Sequence, residues 1–439
     1  MTQVAEAPTV RLGILANWRQ FSLLVVVNAF VGAMVGLERS VLPTLAKRDF
    51  AVTSAAFALT FLVAFGVVKA VSNLAAGHLA DRVGRKRLLV VGWLAAVPVP
   101  LLVLYADSWT WIVAANVLLG INQGFAWSMT VVMKVDLAGP TRRGLALGLN
   151  ESFGYAAVAL AAFASAQLAV SHNPKDVAAA LGLVVAIGGL LLSLAFVRDT
   201  ADHVLTEVGG STPEPTPTRE VVRRVSWSDP SLSAASQAGL VNNLNDALAW
   251  GLLPIFLASK GVSLGRIGIV AALYPAAWAI CQLGSGALSD RVGRKGPIVA
   301  GMFLQAGAIA LFPAVSSFGG WVAAALVMGV GTALVYPTLL AVIGDVAAPS
   351  WRAPAIGVYR LWRDLGYVVG ALIAGVLADV AGMPSAFIAV AVLTALSGWV
   401  VATRMKGSRA GKQAVRSSRD HDTNAAPLAQ ALERSERDA

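Results

Sequence analysis

The chain has 439 residues, 57% of them hydrophobic and 13% charged, with a formal net charge of +10 and a mean hydropathy of +0.69. No water-soluble domain of this length tolerates so apolar a composition, so a soluble fold is excluded. Short alternating segments of a transmembrane barrel are absent, and a single cysteine, Cys281, makes neither a disulfide frame nor a thiolate metal site.

Apolar runs long enough to cross a bilayer follow one another at 21–45, 54–76, 88–105, 109–133, 144–170 and 177–197, then at 233–257, 267–286, 297–315, 321–342, 353–380 and 386–403. They predict an all-α polytopic membrane protein with twelve transmembrane helices in two six-helix bundles. The expected domains are a leader over 1–20, a first bundle over 21–197, a linker over 198–232, a second bundle over 233–403 and a disordered tail over 404–439. The first run follows a polar leader and lacks a small-residue cleavage site, so it does not read as a cleaved signal peptide. The linker carries STPEPTPT and several arginines, a composition that builds no core and predicts flexibility.

With the amino terminus inside, the leader, the even-numbered junctions and the tail hold 25 basic residues, and the odd-numbered junctions hold five. Short loops rich in Lys and Arg stay cytoplasmic, which places both termini in the cytoplasm of a chain crossing a bacterial inner membrane, the plasma membrane. The excess charge is then a topology signal whose partner is the lipid bilayer. Nucleic acid is not expected as a partner, because nothing aromatic interleaves the tail's charges.

The string DRVGRK occurs at 81–86 and again at 290–295, 209 residues on. At the same spacing Gly120 maps onto Gly329, Asp136 onto Asp345, Pro140 onto Pro349, Arg143 onto Arg352 and Gly148 onto Gly357. The two halves therefore read as pseudo-symmetric repeats of one topology, of the kind that face each other across a central cavity.

On these features the chain resembles the major facilitator superfamily, whose signature loop is written here as Gly77-His78-Leu79-Ala80-Asp81-Arg82-Val83-Gly84-Arg85-Lys86-Arg87, with a second copy from Gly286 to Lys295. It departs from drug–proton antiporters at Asn116, where they often carry a charge, and in GLNESFGYAAVAL, which lacks their Gly-Pro motif. Gly77 and Gly84 suit close packing and a tight turn, and Asp81 offers a carboxylate to the next helix and to nearby arginines. The resemblance implies a conformational latch between the halves, formed by Gly77, Asp81, Arg82, Gly84 and Arg85 and by Asp290, Arg291 and Arg294. Asp136 with Arg143 and Asp345 with Arg352 either join it or cap helices.

Eight charged residues lie inside the expected spans and away from their ends: Glu38, Arg39, Lys69, Glu151, Asp246, Arg360, Arg363 and Asp364. An ionisable group there costs several kcal/mol unless paired or hydrated, so each is a candidate for function. Glu151 and Arg360 lie eight residues past equivalent arginines; if spans five and eleven line the cavity, as the resemblance implies, they form a salt bridge across it, either switchable or static. Glu151, Asp246 and Glu38 are the candidate proton carriers, although Glu38 and Arg39 sit where snorkelling to the interface is the simpler expectation. Candidate substrate contacts are Asn116, Gln123 and Trp127 in span four, Tyr155 in span five, Asn242, Asn245 and Trp250 in span seven, and Arg360, Arg363 and Tyr367 in span eleven. A run of amides such as Asn242, Asn243 and Asn245 lines either a cavity or a helix interface. Asp364 can pair with one arginine and leave the other for a carboxylate or phosphate, and Lys69 is expected to pair with Glu38, Glu151 or Asp246, the sequence not choosing among the three.

The function expected is a secondary active transporter moving a small molecule by alternating access, coupled to protons and directed to efflux. Uptake or facilitated transport of an organic anion, and a transporter-like sensor without flux, are the alternatives. No nucleotide-binding loop is present, and the four histidines, His78, His172, His203 and His421, lie apart, so neither an enzyme, a metal site nor a cofactor is expected. A monomer is expected.

Overall fold

A computed structural model describes residues 11–39, 41–139, 143–208, 217–347 and 351–407. The side chains of Asp81, Arg143 and Arg352, and all of Pro140, Pro349 and the tail beyond residue 407, lie outside the described residues, as do the latch roles expected of the first three.

Among the described residues, twelve long helices follow one another in chain order. The first half comprises α1 (Trp18–Arg39), α2 (Thr60–Val83), α3 (Arg85–Leu104), α4 (Trp109–Ala138), α5 (Arg143–Leu168) and α6 (Pro174–Ala195). The second comprises α7 (Pro230–Ala247, continuing through Leu248–Leu252 and Leu253–Ser259), α8 (Leu264–Val292), α9 (Lys295–Ala314), α10 (Phe318–Val346), α11 (Arg352–Ala381) and α12 (Met383–Arg404). Eleven are long and apolar enough by themselves to cross a membrane. The twelfth, α7, is carried across by a wide π turn at Leu248–Leu252, and a second such turn interrupts α4 at Gln123–Trp127. These insertions tend to mark functional positions.

Most helices extend past the predicted spans, because a hydropathy reading stops at the first charge while the backbone ladder continues. α4 runs to Ala138 and so encloses Lys134, which the sequence reading leaves in a loop. The first span instead divides: α1 stops at Arg39, and a separate helix, Leu42–Phe50, starts with Pro43 in its first turn, where a missing N–H costs nothing. The expected flexible linker is also corrected. It holds helices at Ala201–Val208 and Thr218–Arg223, the latter continuing to Ser228. Val221 and Val225 are spaced one turn apart and fully buried in the core of the second half. The composition signal resides in the Pro/Thr run, not in this stretch, and Asp229 then caps α7 by accepting from the Ser231 and Leu232 N–H groups.

Small residues set the helix contacts within the first half. A Cβ at Gly32 would meet the Gly154 carbonyl and one at Gly36 the Val158 carbonyl, which brings α1 against α5; Gly120 and Gly124 do the same for α4 on α2. Between halves, α2 packs along α11 and α5 along α8.

Candidate functional site

Two faces can be told apart. The basic face carries both copies of the loop motif. Gly84 and Gly293 turn the chain there with φ of 94° and 91°, a conformation that favours glycine, at equivalent places in the repeat. Arg85 reaches Asp136 at 3.3 Å and Arg294 reaches Asp345 at 2.9 Å, equivalent ion pairs each inside one half; Arg294 also pairs with Asp290 at 2.5 Å. Asp136 further accepts from Thr200 at 2.6 Å, and Asp199 accepts the Lys86 N–H at 2.9 Å. Arg82 and Arg291 are exposed. Gly77, Gly148, Gly284, Gly286 and Gly357, on the basic-face thirds of α2, α5, α8 and α11, all border open space. Gly77 therefore makes no close-packing contact with a described residue in this conformation.

At the opposite face the same four helices are pressed together. Asp379 of α11 accepts from the Ala55 and Ala56 N–H groups at 2.6 and 3.0 Å and from Ser54 at 2.5 Å. The Gln167 amide of α5 donates to the Gly265 carbonyl of α8 at 2.8 Å, and a Cβ at Gly268 would lie 2.1 Å from that of Ala166. The halves thus close at one face and part at the other.

Between the faces, Asp364 is the hub of the α2–α11 seam, and it, not Glu38, Glu151 or Asp246, is the acid that Lys69 meets. It is fully buried, accepts from Arg363 Nε and Nη2 at 3.0 and 2.7 Å, lies 3.8 Å from Lys69 Nζ, and accepts from Asn73 and, at 3.5 Å, from Asn243. Arg363 also donates to the Tyr336 hydroxyl. Arg360 stands apart, with no hydrogen-bond partner for its Nε.

Aromatic rings make the α5–α8 seam. Tyr155 stacks on Trp278 with centroids 3.5 Å apart, and Trp127 and Tyr336 flank it at 5.3 and 6.0 Å. Glu151, one turn below Tyr155, accepts on Oε1 from Trp127 at 3.1 Å and Asn150 at 3.0 Å, while its Oε2 has no partner. No Glu151–Arg360 ion pair is formed in this conformation. A polar string continues behind it, Thr130 donating to Asn28 at 2.8 Å and Asn28 to the Asn150 carbonyl at 2.7 Å. Near its end lies Lys134, fully buried, donating among the described residues only to the Leu24 carbonyl at 3.2 Å.

A cavity of about 10 Å3, room for about one water, sits between the seams and is lined from both halves by Phe65, Lys69, Gln123, Trp127, Tyr155, Trp250 and Tyr367 among others. Gln123, Trp127, Tyr155, Trp250 and Tyr367 are thus brought together. Asn116, Asn242 and Asn245 are not. Asn116 donates to Glu38 at 3.0 Å inside the first half. Asn245 and Asn242 bond Gln305, and Asn245 accepts from Thr394, so they tie α7 to α9 and α12. The reason is rotation. On α7, Asn243, Asp246 and Trp250 at i, i+3 and i+7 share the inner stripe, and Asn242 and Asn245 lie off it. Asp246 is wholly buried and its oxygens meet only hydroxyls, from Tyr274 and, at 3.4 Å, from Tyr367; no basic side chain pairs with it among the described residues.

Glu38 and Arg39 do not snorkel. Both are buried, because the Leu42–Phe50 helix folds over the end of α1 and against α7. Lys134, Asn73, Trp278 and Tyr336 were missed from the sequence; the repeat already pointed to two of them, since Lys69 and Trp127 map onto Trp278 and Tyr336.

Comparison with known proteins adds the following. A family model described as Major Facilitator Superfamily matches residues 22–244 and 235–436. An uncharacterized MFS-type transporter of Salmonella typhimurium is 25% identical over 342 residues, 74% of this chain and 81% of that one. A probable 4-methylmuconolactone transporter of Cupriavidus pinatubonensis is 28% identical over 235 residues, 53% of this chain and 54% of the relative. The quinolone resistance protein NorA of Staphylococcus aureus is 24% identical over 129 residues, 29% of this chain and 33% of its own. Among solved structures, the human organic anion transporter MFSD10 superposes with a TM-score of 0.65 at 18% identity, covering 87% of this chain and 99% of that one. A bacterial homologue of the human lysosomal transporter Spinster gives 0.66 at 15%, covering 88% and 96%.

Proposed function

The chain belongs to the major facilitator superfamily, and from that premise we propose that it is a proton-coupled secondary transporter that exports a small organic molecule by alternating access. The basic face is read as cytoplasmic, with both termini there and the bilayer that of a bacterial inner membrane, on the charge count between junctions. The conformation is then inward-facing, and opening outward requires the Asp379 and Gly268 contacts to part while the basic-face thirds close. Domain boundaries follow the two helix sets, with the segment after α6 as the joint between them, and the transporting unit is taken as a monomer.

The observation that carries the coupling is Asp246, a buried carboxylate with hydroxyl partners and no cation, beside a cavity bounded by both halves. Such a group exchanges a proton without breaking an ion pair, and its phenol partners can relay it. Glu151, with one oxygen free and set against the aromatic seam, is the second carrier; Glu38, held by Asn116 away from the cavity, is a third of lesser weight. Substrate would be held by Trp127, Tyr155, Trp250, Tyr367 and Gln123, with Arg363 and Lys69 supplying positive charge. Arg85 with Asp136 and Arg294 with Asp345 would brace the loops that act as the latch, Arg82 and Arg291 being placed to meet the other half when that face closes.

The test starts with a thermal-shift screen of the purified protein against metabolites, drugs and oxyanions, since a ligand stabilises the state it binds. The hit is then followed into proteoliposomes under an imposed pH gradient. Asp246→Asn and Glu151→Gln should each abolish the gradient-driven component; full gradient-driven flux in both removes the proton sites. Binding without flux would indicate a sensor. Inward movement of an organic anion is the second reading, favoured by the similarity to a relative named as a 4-methylmuconolactone transporter and by Lys69 at the cavity, with Arg363 behind it on the shared Asp364. Vesicles of known orientation decide between the directions.

A further inference from the structure

Arg39 is 1% exposed, and none of its three guanidinium nitrogens has a hydrogen-bond partner among the described residues. Three rings surround it instead: Phe65 at 4.6 Å and Phe61 at 5.6 Å from α2, and Trp250 at 5.5 Å from α7 of the other half. Rings attract a cation but accept none of its five N–H groups in the way an oxygen does. Glu38, the adjacent acid, takes a hydrogen bond from Asn116 and makes no ion pair with Arg39. Burying so many donors unsatisfied is costly, and replacement by an apolar residue would relieve it, so a snorkelling or purely structural role accounts poorly for an arginine here.

Its place in the fold supplies a reason. Phe65 and Trp250 also line the central cavity, so they form a partition with the cavity on one side and the guanidinium on the other. Trp250 belongs to the half that must move away when the outer face opens, since Gly251 beside it is wedged against Leu59, just before α2, and Leu62 within it. Withdrawal of Trp250 would free the planar fork of Arg39 toward the widening cavity.

We propose that Arg39 is the anion-binding subsite of the outward-open state, taking the carboxylate of a small organic acid in a bidentate pair, and that Trp250 covers it once the outer face closes. The guanidinium fork matches a carboxylate in plane and spacing, and Phe61 and Phe65 offer faces to an unsaturated or aromatic body. The site deepens the transport reading above and rests on its alternating access, not on its proton coupling.

The experiment labels the full-length protein in nanodiscs with phenylglyoxal, an arginine reagent, and reads modification of Arg39 by peptide mass mapping, with no gradient present. Gly268→Trp holds the outer face open, because even a Cβ there meets Ala166. Leu59→Cys in a Cys281→Ser background, read with a membrane-impermeant maleimide, reports the opening independently. Arg39 should react at least tenfold faster in Gly268→Trp than in the unmodified protein. Benzoate should slow that reaction at least fivefold, and its neutral counterpart benzamide should not. If Leu59→Cys becomes accessible while Arg39 stays unreactive, or if benzoate fails to protect better than benzamide, the subsite is wrong and alternating access stands. If neither position opens, both readings fall. Should Gly268→Trp not fold, Gly375→Trp opens the other side of the same face, where a Cβ would meet the Ala56 backbone at 2.6 Å.

Discussion

The two seams that join the halves occupy equivalent places in the repeat and hold by different chemistry. Shifting by 209 residues turns Lys69 into Trp278 and Tyr155 into Asp364, so the α2–α11 ion pair and the α5–α8 ring stack are the same contact written twice. One seam concentrates its strength in a single desolvated carboxylate with several donors. The other spreads it over four rings. A stack loses little when its rings slide, whereas a buried ion pair either keeps its geometry or leaves a charge uncompensated. The helices can therefore pivot on the aromatic seam while the ionic seam sets when they part.

Breaking the ionic seam should cost most. Asp364→Ala leaves Lys69 and Arg363 buried without a counter-charge, and about 3–5 kcal/mol should disappear from denaturant unfolding in nanodiscs. A loss below about 1 kcal/mol would mean that water reaches the seam and that the two seams differ less than their chemistry suggests. Gly268→Ala comes next. It forces a methyl into a closed contact at the outer end of α5 and α8, costing the inward-facing state about 1–3 kcal/mol and raising maleimide labelling at Leu59→Cys. Unchanged labelling would show that this end yields without opening.

Tyr155→Leu should remove only the ring-specific part of the aromatic seam, about 0.5–1.5 kcal/mol beyond the area lost, with Tyr155→Phe near zero in the same unfolding measurement. A Tyr155→Phe loss as large as that of Tyr155→Leu would place the strength in the hydroxyl. The smallest effect separates buried from exposed ion pairs. Hydrogen bonds from Arg223 and then Arg224 hold the Glu220 carboxyl down at about 2, below its usual 4.5. Because the folded value is the lower one, this contribution is complete above 4.5 and fades as pH falls through 2. Fluorescence of Trp227 on the same helix should follow that fade and lose it in Glu220→Gln or in 1 M salt, conditions that leave the Lys69–Asp364 seam untouched.

Much of this was legible before any coordinates. Asp246 and Trp250 were found by their depth in an apolar span, and Asp136 and Asp345 by their repetition. Lys134 is not legible because hydropathy ends a span at the first charge it meets. Asn242 and Asn245 were placed at the cavity because composition marks a polar run without saying which residue of each turn faces inward. Glu38 and Arg39 read as interfacial because distance from a span end along the chain is not depth in the protein, and the Leu42–Phe50 helix that covers them is too short and too polar to show as apolar periodicity.

The amino-acid sequence by itself determined that this chain lives in a bilayer, that it crosses twelve times in two repeats, and which face carries the basic loops. Those properties are sums over local stretches, set by transfer of side chains and backbone out of water, and any correct fold must honour them. Only the tertiary structure decided that Asp364 answers Lys69, that Arg39 is left among rings, and that the halves close at one face. Such pairings depend on how helices hundreds of residues apart are rotated and tilted against each other, and that rotation is fixed by the packing of all twelve at once.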